Sequence, residues 1–561
     1  MYKLLLILKY LRRKLAPMFA ALAVTLCTAM VIIVISVMGG FLDLLRESVH
    51  QLSGDVIITA GSLTGFPHYE ALIEALEEQP EIAAAAPVLR TYGLLNLGGS
   101  AIPVQIEGIR PRDLDRVVHY RRSLHWSAKD YLEELQGSGL EPDLLQRRQE
   151  ALSQLDLEGY GMSLEPPAAW QPPNSQPLPG VVLGIELNPL QMRDEYGQYS
   201  VANSAVGMTI ALTTVPLTQQ GSVRQLDATS RSFLVVNEFK SGHYEVDANR
   251  AYVPLEALQQ MTDMDQRQVW NYDPQTLEPV GDPMLRPARV TEILLRGEAG
   301  YNLDEVRTAA RNVAGRFVRE HADMPLLLVQ TWEQQYADLL GAVANEKGLV
   351  TFLFIIISIV AIVMVATTFY MIVLEKTRDI GVLRAIGASR AGIMNVFLGY
   401  GLAIGIVGSL AGLALAYLIV THLNQLQDVL ATRMATLLGW CGVAVAAGVL
   451  GAILGGAAGR RRDVAFESGL AGLFLGAAAV AVVAFFRFDL LEVGPFNQWN
   501  TMIGWRMWDP RIYAFDRIPD RVDAIEATVI VLGAIASSVI GSLIPALLAA
   551  RLDPIEALRY E

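Results

Sequence analysis

The chain has 561 residues and a formal net charge of −13, and 52% of its residues are hydrophobic while only 18% are charged. This balance excludes an ordinary soluble globular protein, and the acidic excess argues against a nucleic-acid partner, since phosphate binding needs clustered Lys and Arg. No P-loop, H-E-x-x-H or C-x-x-C pattern occurs, so neither an ATPase site nor a metal site is predicted. No catalytic residue is predicted either.

Apolar blocks without internal charges predict an α-helical membrane protein. A bilayer is crossed by about 20 helical residues, and six blocks fit this length. They are residues 17–40, 348–374, 392–421, 435–458, 468–486 and 527–549. We interpret the first three and the last as four core transmembrane helices, and the fourth and fifth as an extra helical hairpin.

Basic residues fix the predicted orientation. Residues 1–16 alternate apolar and basic side chains, which is typical of a helix lying on the inner membrane surface, although a plain positively charged flank fits equally well. Further basic residues lie at 375–391, in the turn of the extra hairpin and in the tail 550–561. These places fall on one side, predicted to be cytoplasmic. The turn of the hairpin contributes Arg460, Arg461 and Arg462.

The long segment between the first two spans predicts an exterior domain over 41–347, of α+β type with two lobes. Strand and helix periods at 55–60 and 68–79 open it, and a second βαβ-like stretch covers 290–332, with its helix at 302–320. A polar helix over 333–347 is predicted to lead into the second span. An insertion at about 110–180 reads as charged helices followed by a proline-rich extended linker, 165–179. A shorter exterior loop is predicted at 487–526.

The cytoplasmic segment 375–391 predicts a short docking helix. Ile380, Leu383 and Ile386 recur at helical spacing, and Gly387 can end the helix. A short helix with an apolar face and a charged rim suits docking into a groove; the alternative is a solvated loop with cytoplasmic arginines. The polar residues predicted to take part are Glu375, Lys376, Arg378, Asp379, Arg384 and Ser389.

Glycines four residues apart recur in the spans, as at Gly401/Gly405 and Gly408/Gly412. Such pairs let helices approach closely in lipid. General packing is favoured over a specific dimer seam. The spans hold no ionisable residue away from their edges, so an ion-coupled mechanism is disfavoured and the energy is expected from a partner.

Residues 374–389 (LEKTRDIGVLRAIGAS) closely resemble the coupling segment of FtsX/MacB-type ABC transporter permeases. VISVMGGF (34–41), SGDVIITA (53–60), the run 331–361 and the terminal ARLDPIEALRYE (550–561) are similar to the lipoprotein-releasing branch of that family. The extra hairpin and the insertion at 110–180 depart from the usual four-span pattern.

The resemblance implies a bacterial inner-membrane permease that is not itself an enzyme. A separate ABC ATPase subunit would bind ATP and Mg, and a second permease chain, identical or paralogous, would complete the transporter. Other implied partners are membrane lipids and a periplasmic carrier or adaptor. The cargo would be a lipoprotein or other lipidated substrate, held in an apolar cavity lined by residues 22–41 and 349–370 of the paired chains.

Two alternatives stay open within this resemblance. One is a MacB-like exporter of peptides or small molecules, and the other is an FtsX-like signal transmitter that regulates a periplasmic partner without transport. The missing catalytic groups disfavour a membrane enzyme. The sequence identifies neither the cargo nor a carrier-binding hook, for which 165–179 is a candidate by length alone.

Overall fold

The computed structural model describes residues 15–131, 156–173, 176–191, 193, 198–215, 228–242, 244–272, 279–427, 518 and 521–552. The predicted interfacial helix 1–16, apart from its last two residues, lies outside this set. The extra hairpin with Arg460, Arg461 and Arg462, most of the loop 487–526 and the tail beyond residue 552 also lie outside the described residues. The chain divides into a membrane unit and an exterior domain. The former comprises residues 1–42, 343–509 and 517–561, and the latter 43–342 and 510–516.

Helices and strands are numbered here in chain order over the described residues. The helices are α1 Leu15–Ser53, α2 Tyr69–Glu77, α3 Pro111–Val117, α4 Tyr120–Ser123, α5 Leu157–Ser163, α6 Tyr244–Asp247, α7 Leu255–Thr262, α8 Leu303–Glu320, α9 Trp332–Gln335, α10 Ala337–Glu375, α11 Thr377–Ala385, α12 Arg390–Thr421 and α13 Ala524–Arg551. The strands are β1 Val56–Thr59, β2 Ile82–Leu97, β3 Ser100–Ile109, β4 Gly180–Gly184, β5 Thr209–Thr214, β6 Thr229–Phe239, β7 Arg250–Pro254, β8 Arg267–Tyr272, β9 Pro279–Arg286, β10 Glu292–Gly297 and β11 Leu328–Thr331. Short 3₁₀ turns add to these.

The exterior domain is built on one nine-stranded sheet, in the order β11-β1-β10-β2-β3-β7-β4-β6-β5. The 16-residue strand β2 serves twice: its first part pairs with β10, and its later part pairs with β3 and β5. The β2–β5 pairing closes β2, β3, β7, β4, β6 and β5 into a ring. The predicted α+β character is confirmed, and the strands from both predicted lobes share this sheet through β2.

Helices α2 and α8 cover one face of the sheet because each carries an apolar stripe. Leu72 and Leu76 of α2 are fully buried, and Val306 and Phe317 of α8 join the same core. Helix α8 begins at a capping box, in which Asn302 and Glu305 each accept a hydrogen bond from the other's backbone N–H. The observed helix begins at Leu303 because Asn302 is its N-cap, so it starts one residue later than the predicted helix 302–320.

The insertion packs onto the domain where it is described. Helices α3, α4 and α5 cover the second apolar cluster on the sheet. The described part of the proline-rich stretch, residues 165–173 and 176–179, is held by side-chain contacts, whereas an extended linker was predicted. The ring of Trp170 lies 5.9 Å from that of Tyr160, and the Gln171 side chain bonds both the N–H and the C=O of Leu178. The number of prolines in this stretch could not predict these side-chain contacts.

Four described helices are long and apolar enough to cross a membrane: Ala20–Glu47, Leu340–Glu375, Arg390–Thr421 and Ala524–Arg551. They match the predicted core spans. The predicted polar helix 333–347 is split, since α9 ends at Gln335 and α10 then continues into the second span.

Glycines of α12 pack it against two other spans of the same chain. A Cβ on Gly405 would lie 3.0 Å from the Ser538 Cβ of α13, and a Cβ on Gly412 would lie 2.7 Å from the Thr25 carbonyl oxygen of α1. Such contacts leave no room for a side chain. These glycines therefore allow close packing of helices within one chain. The sequence pattern favoured this role over a specific dimer seam.

Candidate functional site

The predicted coupling segment folds as helix α11, with a defined start and end. The Thr377 hydroxyl donates to the carbonyl oxygens of Val373 and Leu374 at 3.1 and 2.9 Å, where α10 gives way to α11. At the other end, Gly387 has a φ of 106°, and the Ala388 N–H bonds the Leu383 carbonyl oxygen at 3.0 Å. This is a Schellman ending, in which glycine takes the left-handed conformation without strain.

The next helix starts at once. Ser389 is the N-cap of α12, and its hydroxyl accepts a hydrogen bond from the Gly392 N–H at 3.1 Å. The short α11 is thus joined closely to α10 before it and to α12 after it.

The three apolar residues Ile380, Leu383 and Ile386, predicted to recur at helical spacing, differ in exposure. Ile380 is only 3% exposed and packs among Val373, Ile393 and other residues of the spans. Leu383 is 43% exposed and Ile386 is 79% exposed. Ile380 faces inward because it lies in the first turn of α11, where α10 and α12 converge. The exposed apolar knob consists of Val382, Leu383 and Ile386.

Charged side chains surround this knob. Lys376 pairs with Asp379 at 2.8 Å across one turn of α11. Glu375 and Arg378 are exposed on the same segment. An apolar centre with a charged rim is the usual composition of a protein docking surface.

Arg384 connects α11 to the end of the last span. Its Nη1 donates to the carbonyl oxygen of Ala550 at 3.4 Å and also to that of Leu552. The last carbonyl groups of a helix lack intrahelical partners and carry the negative end of the helix dipole, so a guanidinium there is stabilising. Sequence reasoning had placed Arg384 on the docking rim. Nothing in the local pattern indicates a partner 166 residues away.

Between α1, α10 and α13 lies a cavity of about 200 Å³. Its walls are mainly apolar, with a few hydroxyl groups and the Cys27 thiol. Thr28 is 2% exposed, and its Oγ1 has no hydrogen-bond partner among the described residues. The lining residues are Val24, Cys27, Thr28, Val31, Ile35, Thr351, Phe354, Ile355, Ser358, Ala361, Ile362, Val365, Ile530, Gly533, Ala534, Ser537 and Ser538.

This cavity agrees in part with the sequence prediction. The first two spans contribute residues from the predicted ranges 22–41 and 349–370, but the last span forms a third wall within the same chain. Hydropathy alone could not distinguish residues that line a cavity from residues that face lipid.

In the exterior domain, the two ends of chain that lead to and from the spans are tied together. The ring of His50 lies 5.1 Å from that of Trp332, and the Ser53 hydroxyl donates to the Tyr336 hydroxyl at 3.3 Å. His50 also lies 2.7 Å from Asp55, which directly precedes β1. These contacts fix the root of the domain.

A buried ion network lies on the sheet. Arg90 contacts Glu107 at 2.9 Å and Glu292 at 2.8 Å, while Arg250 lies 3.3 Å from Glu107. Burial by itself favours a higher pKa for the carboxyl groups of Glu107 and Glu292, because it disfavours their charged form. For Glu107 the two neighbouring arginines outweigh it, so the pKa of Glu107 is lowered, whereas burial prevails for Glu292 and its pKa is raised. The network therefore depends chiefly on the ionised Glu107.

Two family models match the chain. The FtsX-like permease C-terminal model matches residues 351–464, which include α11, and the MacB-like periplasmic core domain model matches residues 18–151. The "Lipoprotein-releasing system transmembrane protein LolC" of Neisseria meningitidis serogroup B is 22% identical over 566 residues, covering 99% of this chain and 98% of the relative.

Two further relatives point the same way. The LolC protein of Xylella fastidiosa (strain 9a5c) is 24% identical over 412 residues, covering 72% of this chain and 78% of the relative. The LolE protein of Haemophilus influenzae is 20% identical over 409 residues, covering 72% and 77%. The chain is thus a membrane protein similar to the lipoprotein-releasing permeases, and a permease component is not the ATPase of its complex. Over the segments that the two family models match, the chain is similar to the FtsX/MacB-type permeases of ABC transporters.

Proposed function

We propose that this chain couples ATP hydrolysis by a separate ABC ATPase, which binds the ATP and Mg, to movement of its exterior domain. The movement releases lipoproteins or other lipidated substrates from the bacterial inner membrane, so the exterior domain lies in the periplasm. The Arg384 contact with the carbonyl groups at the end of α13 carries this proposal, because it joins the exposed docking helix to a span by a polar link.

The docking step uses the knob Val382, Leu383 and Ile386. Exposed apolar side chains within a charged rim fit a groove on another protein, and the ATPase subunit is the partner that the similar permeases work with. When its groove moves on nucleotide binding, the knob moves with it.

The movement then reaches three spans by different links. Helix α10 precedes α11 with one residue between them, α12 follows after a short turn, and α13 is held by Arg384. Since Ile380 is buried among residues of these spans, α11 cannot shift without displacing them. A second permease chain, identical or paralogous, would respond in the same way.

The cavity between α1, α10 and α13 supports a lipidated cargo. An apolar cavity of about 150 Å³ is enough to hold a benzene-sized guest, so about 200 Å³ can take part of an acyl chain. Each buried CH₂ group contributes about 0.8 kcal/mol. Closure of the cavity during the nucleotide cycle would expel the acyl chain of the cargo toward a periplasmic carrier.

A carrier needs a contact site on the exterior domain. Strands β8 and β9 form a two-stranded sheet that pairs with no other described strand. Leu285 of β9 is 61% exposed. This hairpin is a stronger candidate for the carrier contact than residues 165–179, because Trp170 and Gln171 of that stretch are already engaged with Tyr160 and Leu178.

The docking role is tested by copurification. Leu383→Asp and Ile386→Asp should abolish copurification of the genomically adjacent ATPase, whereas Leu326→Asp, at a leucine that is 78% exposed in the exterior domain, should not. Equal copurification by all three variants would contradict the role of the knob. A cysteine placed at Ile386 should also resist membrane-impermeant labelling in whole cells.

The cargo is tested by filling the cavity. Gly533 lines it, and a Cβ there would meet nothing within 4 Å, so Gly533→Leu should enter the space without a clash. We expect lipoprotein release from vesicles to fall while ATP hydrolysis persists. Gly348→Leu is the matched control, because Gly348 also has open space around it and does not line the cavity.

The outcome of this test separates the alternatives. Hydrolysis without any lipoprotein release by the unaltered chain would favour a MacB-like exporter if another substrate is moved. It would favour an FtsX-like transmitter if none is moved and a periplasmic hydrolase responds instead.

A further inference from the structure

A second cavity lies in the exterior domain, away from the spans, with a volume of about 80 Å³. Helix α4 and the start of the loop after β6 enclose it, with Tyr252 of β7 buried at its floor. Its lining includes the basic side chains of Arg122 and Lys240 and the imidazole of His119, and none of its eight lining residues is acidic. The volume corresponds to roughly two or three water molecules, which suits a compact anion.

The basic character is local and is partly neutralised around the cavity. Residues 110–122 contain five arginines and two aspartates. Arg110 pairs with Glu70 and Glu256, Arg116 pairs with Glu77, and Arg121 lies near Asp115 and Glu158. Arg122 is exposed and has no ion-pair partner among the described residues. Its charge is therefore available to a ligand.

The other polar groups of the cavity are held in place. The Lys240 N–H donates to the Ser123 carbonyl oxygen at 2.8 Å, and the Lys240 ammonium lies 5.2 Å from the centre of the Tyr199 ring. The Ser241 hydroxyl donates to Asp247 at 2.7 Å. The cavity thus has a fixed frame with cationic walls.

The cavity also lies near the point where the chain enters the exterior domain. A Cβ on Gly54, which directly follows α1, would lie 2.9 Å from the Val117 side chain of α3. His119 comes two residues after Val117.

We propose that this cavity binds a phosphoryl group, carried by an anionic phospholipid headgroup or by free phosphate. Arginine and lysine together are the usual protein ligands of phosphate oxygens. The proposal goes beyond the transport function, and it needs neither ATP nor the ATPase partner to be correct.

Binding is measured on the full chain in neutral detergent by calorimetric titration. The probes are inorganic phosphate, short-chain phosphatidylglycerol and short-chain phosphatidylcholine. Saturable one-to-one binding of phosphatidylglycerol alone identifies a lipid site, and saturable binding of phosphate alone identifies a free-anion site. Competition between the two for one site supports the shared phosphoryl chemistry. If neither inorganic phosphate nor phosphatidylglycerol binds, the proposal is overturned.

The variant Arg122→Gln should weaken this binding by about tenfold or more, as expected for loss of a charge-assisted hydrogen bond. Arg122→Lys should retain part of the affinity. Arg112→Gln is the matched control, because Arg112 is also exposed on the same basic segment but does not line the cavity. Equal weakening by Arg112→Gln and Arg122→Gln would show diffuse charge attraction and would overturn the site.

Discussion

The Lys347 ammonium of α10 lies 2.6 Å from Oε1 of Glu526 in the first turn of α13. A Cβ on Gly39 of α1 would lie 3.6 Å from the same ammonium group. The pair therefore joins the ends of the second and last spans that lie opposite α11, with the first span beside them. It is the counterpart of the Arg384 contact at the other end of α13.

Reversing the charges of this pair tests whether it holds the spans together. Lys347→Glu and Glu526→Lys should each lower the thermal unfolding midpoint of the detergent-solubilised chain, and the double exchange should restore it in part. Both side chains are partly exposed, so a coupling free energy of about 1 kcal/mol or less is expected. Additive effects in the double variant would contradict a direct interaction.

Arg384→Gln should separate hydrolysis from transport. The neutral side chain loses the charge-assisted contact with the end of α13, worth about 1.5–3 kcal/mol, while the knob is unchanged. We expect normal ATPase copurification and hydrolysis but roughly tenfold fewer substrates released per ATP. Arg390→Gln, at an exposed arginine in the first turn of α12 and outside α11, is the control. An unchanged ratio in Arg384→Gln would remove Arg384 from the transmission path.

Gly412→Ala should destabilise the membrane unit. The added Cβ would lie 2.7 Å from a backbone oxygen of α1, which cannot move aside as a flexible side chain can. A loss of about 1–3 kcal/mol is expected for such overpacking. Gly348→Ala has open space and should be neutral or slightly stabilising. Thermal midpoints in one detergent provide the comparison, and equal midpoints would contradict it.

Glu107→Gln should destabilise the exterior domain by about 3–5 kcal/mol, since it leaves Arg90 and Arg250 buried with too little negative charge. Glu333→Gln, at an exposed position, should have little effect. Proteolysis of the folded chain reports on this domain without requiring reversible unfolding. Equal resistance in the two variants would show that the network is dispensable.

The sequence predicted the elements whose signal is local. Spans follow from uninterrupted apolar residues, and the end of α11 follows from Gly387, whose positive φ is the usual reason for glycine at that place. Predictions that depended on contacts between separate helices or strands were less successful. The inward orientation of Ile380 depends on the convergence of α10 and α12, which the spacing of apolar residues along α11 does not contain.

Long-range partners were beyond the sequence for the same reason. Arg384 and Ala550 are far apart in the chain, and nothing in the local sequence around Arg384, where other arginines are also present, indicates a contact with a helix end. Strand β2 reads as one apolar stretch, yet its two parts have different neighbours. Such double pairing is decided by the packing of the whole sheet rather than by strand propensity.

Asp247 gives the exterior domain a pH dependence that one substitution can isolate. Its carboxylate is buried and accepts hydrogen bonds from the Ser241 N–H and hydroxyl, both at 2.7 Å. Burial outweighs these bonds and raises the pKa of Asp247 to about 6. Because the folded state favours the protonated acid, the stabilising contribution is fully present below the ordinary value of 3.8 and is lost as the pH rises through about 6.

Asp247→Asn should remove this dependence. As the pH rises from 4 to 7, the wild-type chain should therefore lose stability relative to the variant, by on the order of 3 kcal/mol. Thermal midpoints of the full chain across this pH range provide the measurement. Asp338→Asn, at an exposed aspartate in the first turn of α10, should instead give a profile parallel to the wild type. A parallel profile for Asp247→Asn as well would mean that Asp247 does not titrate in this range.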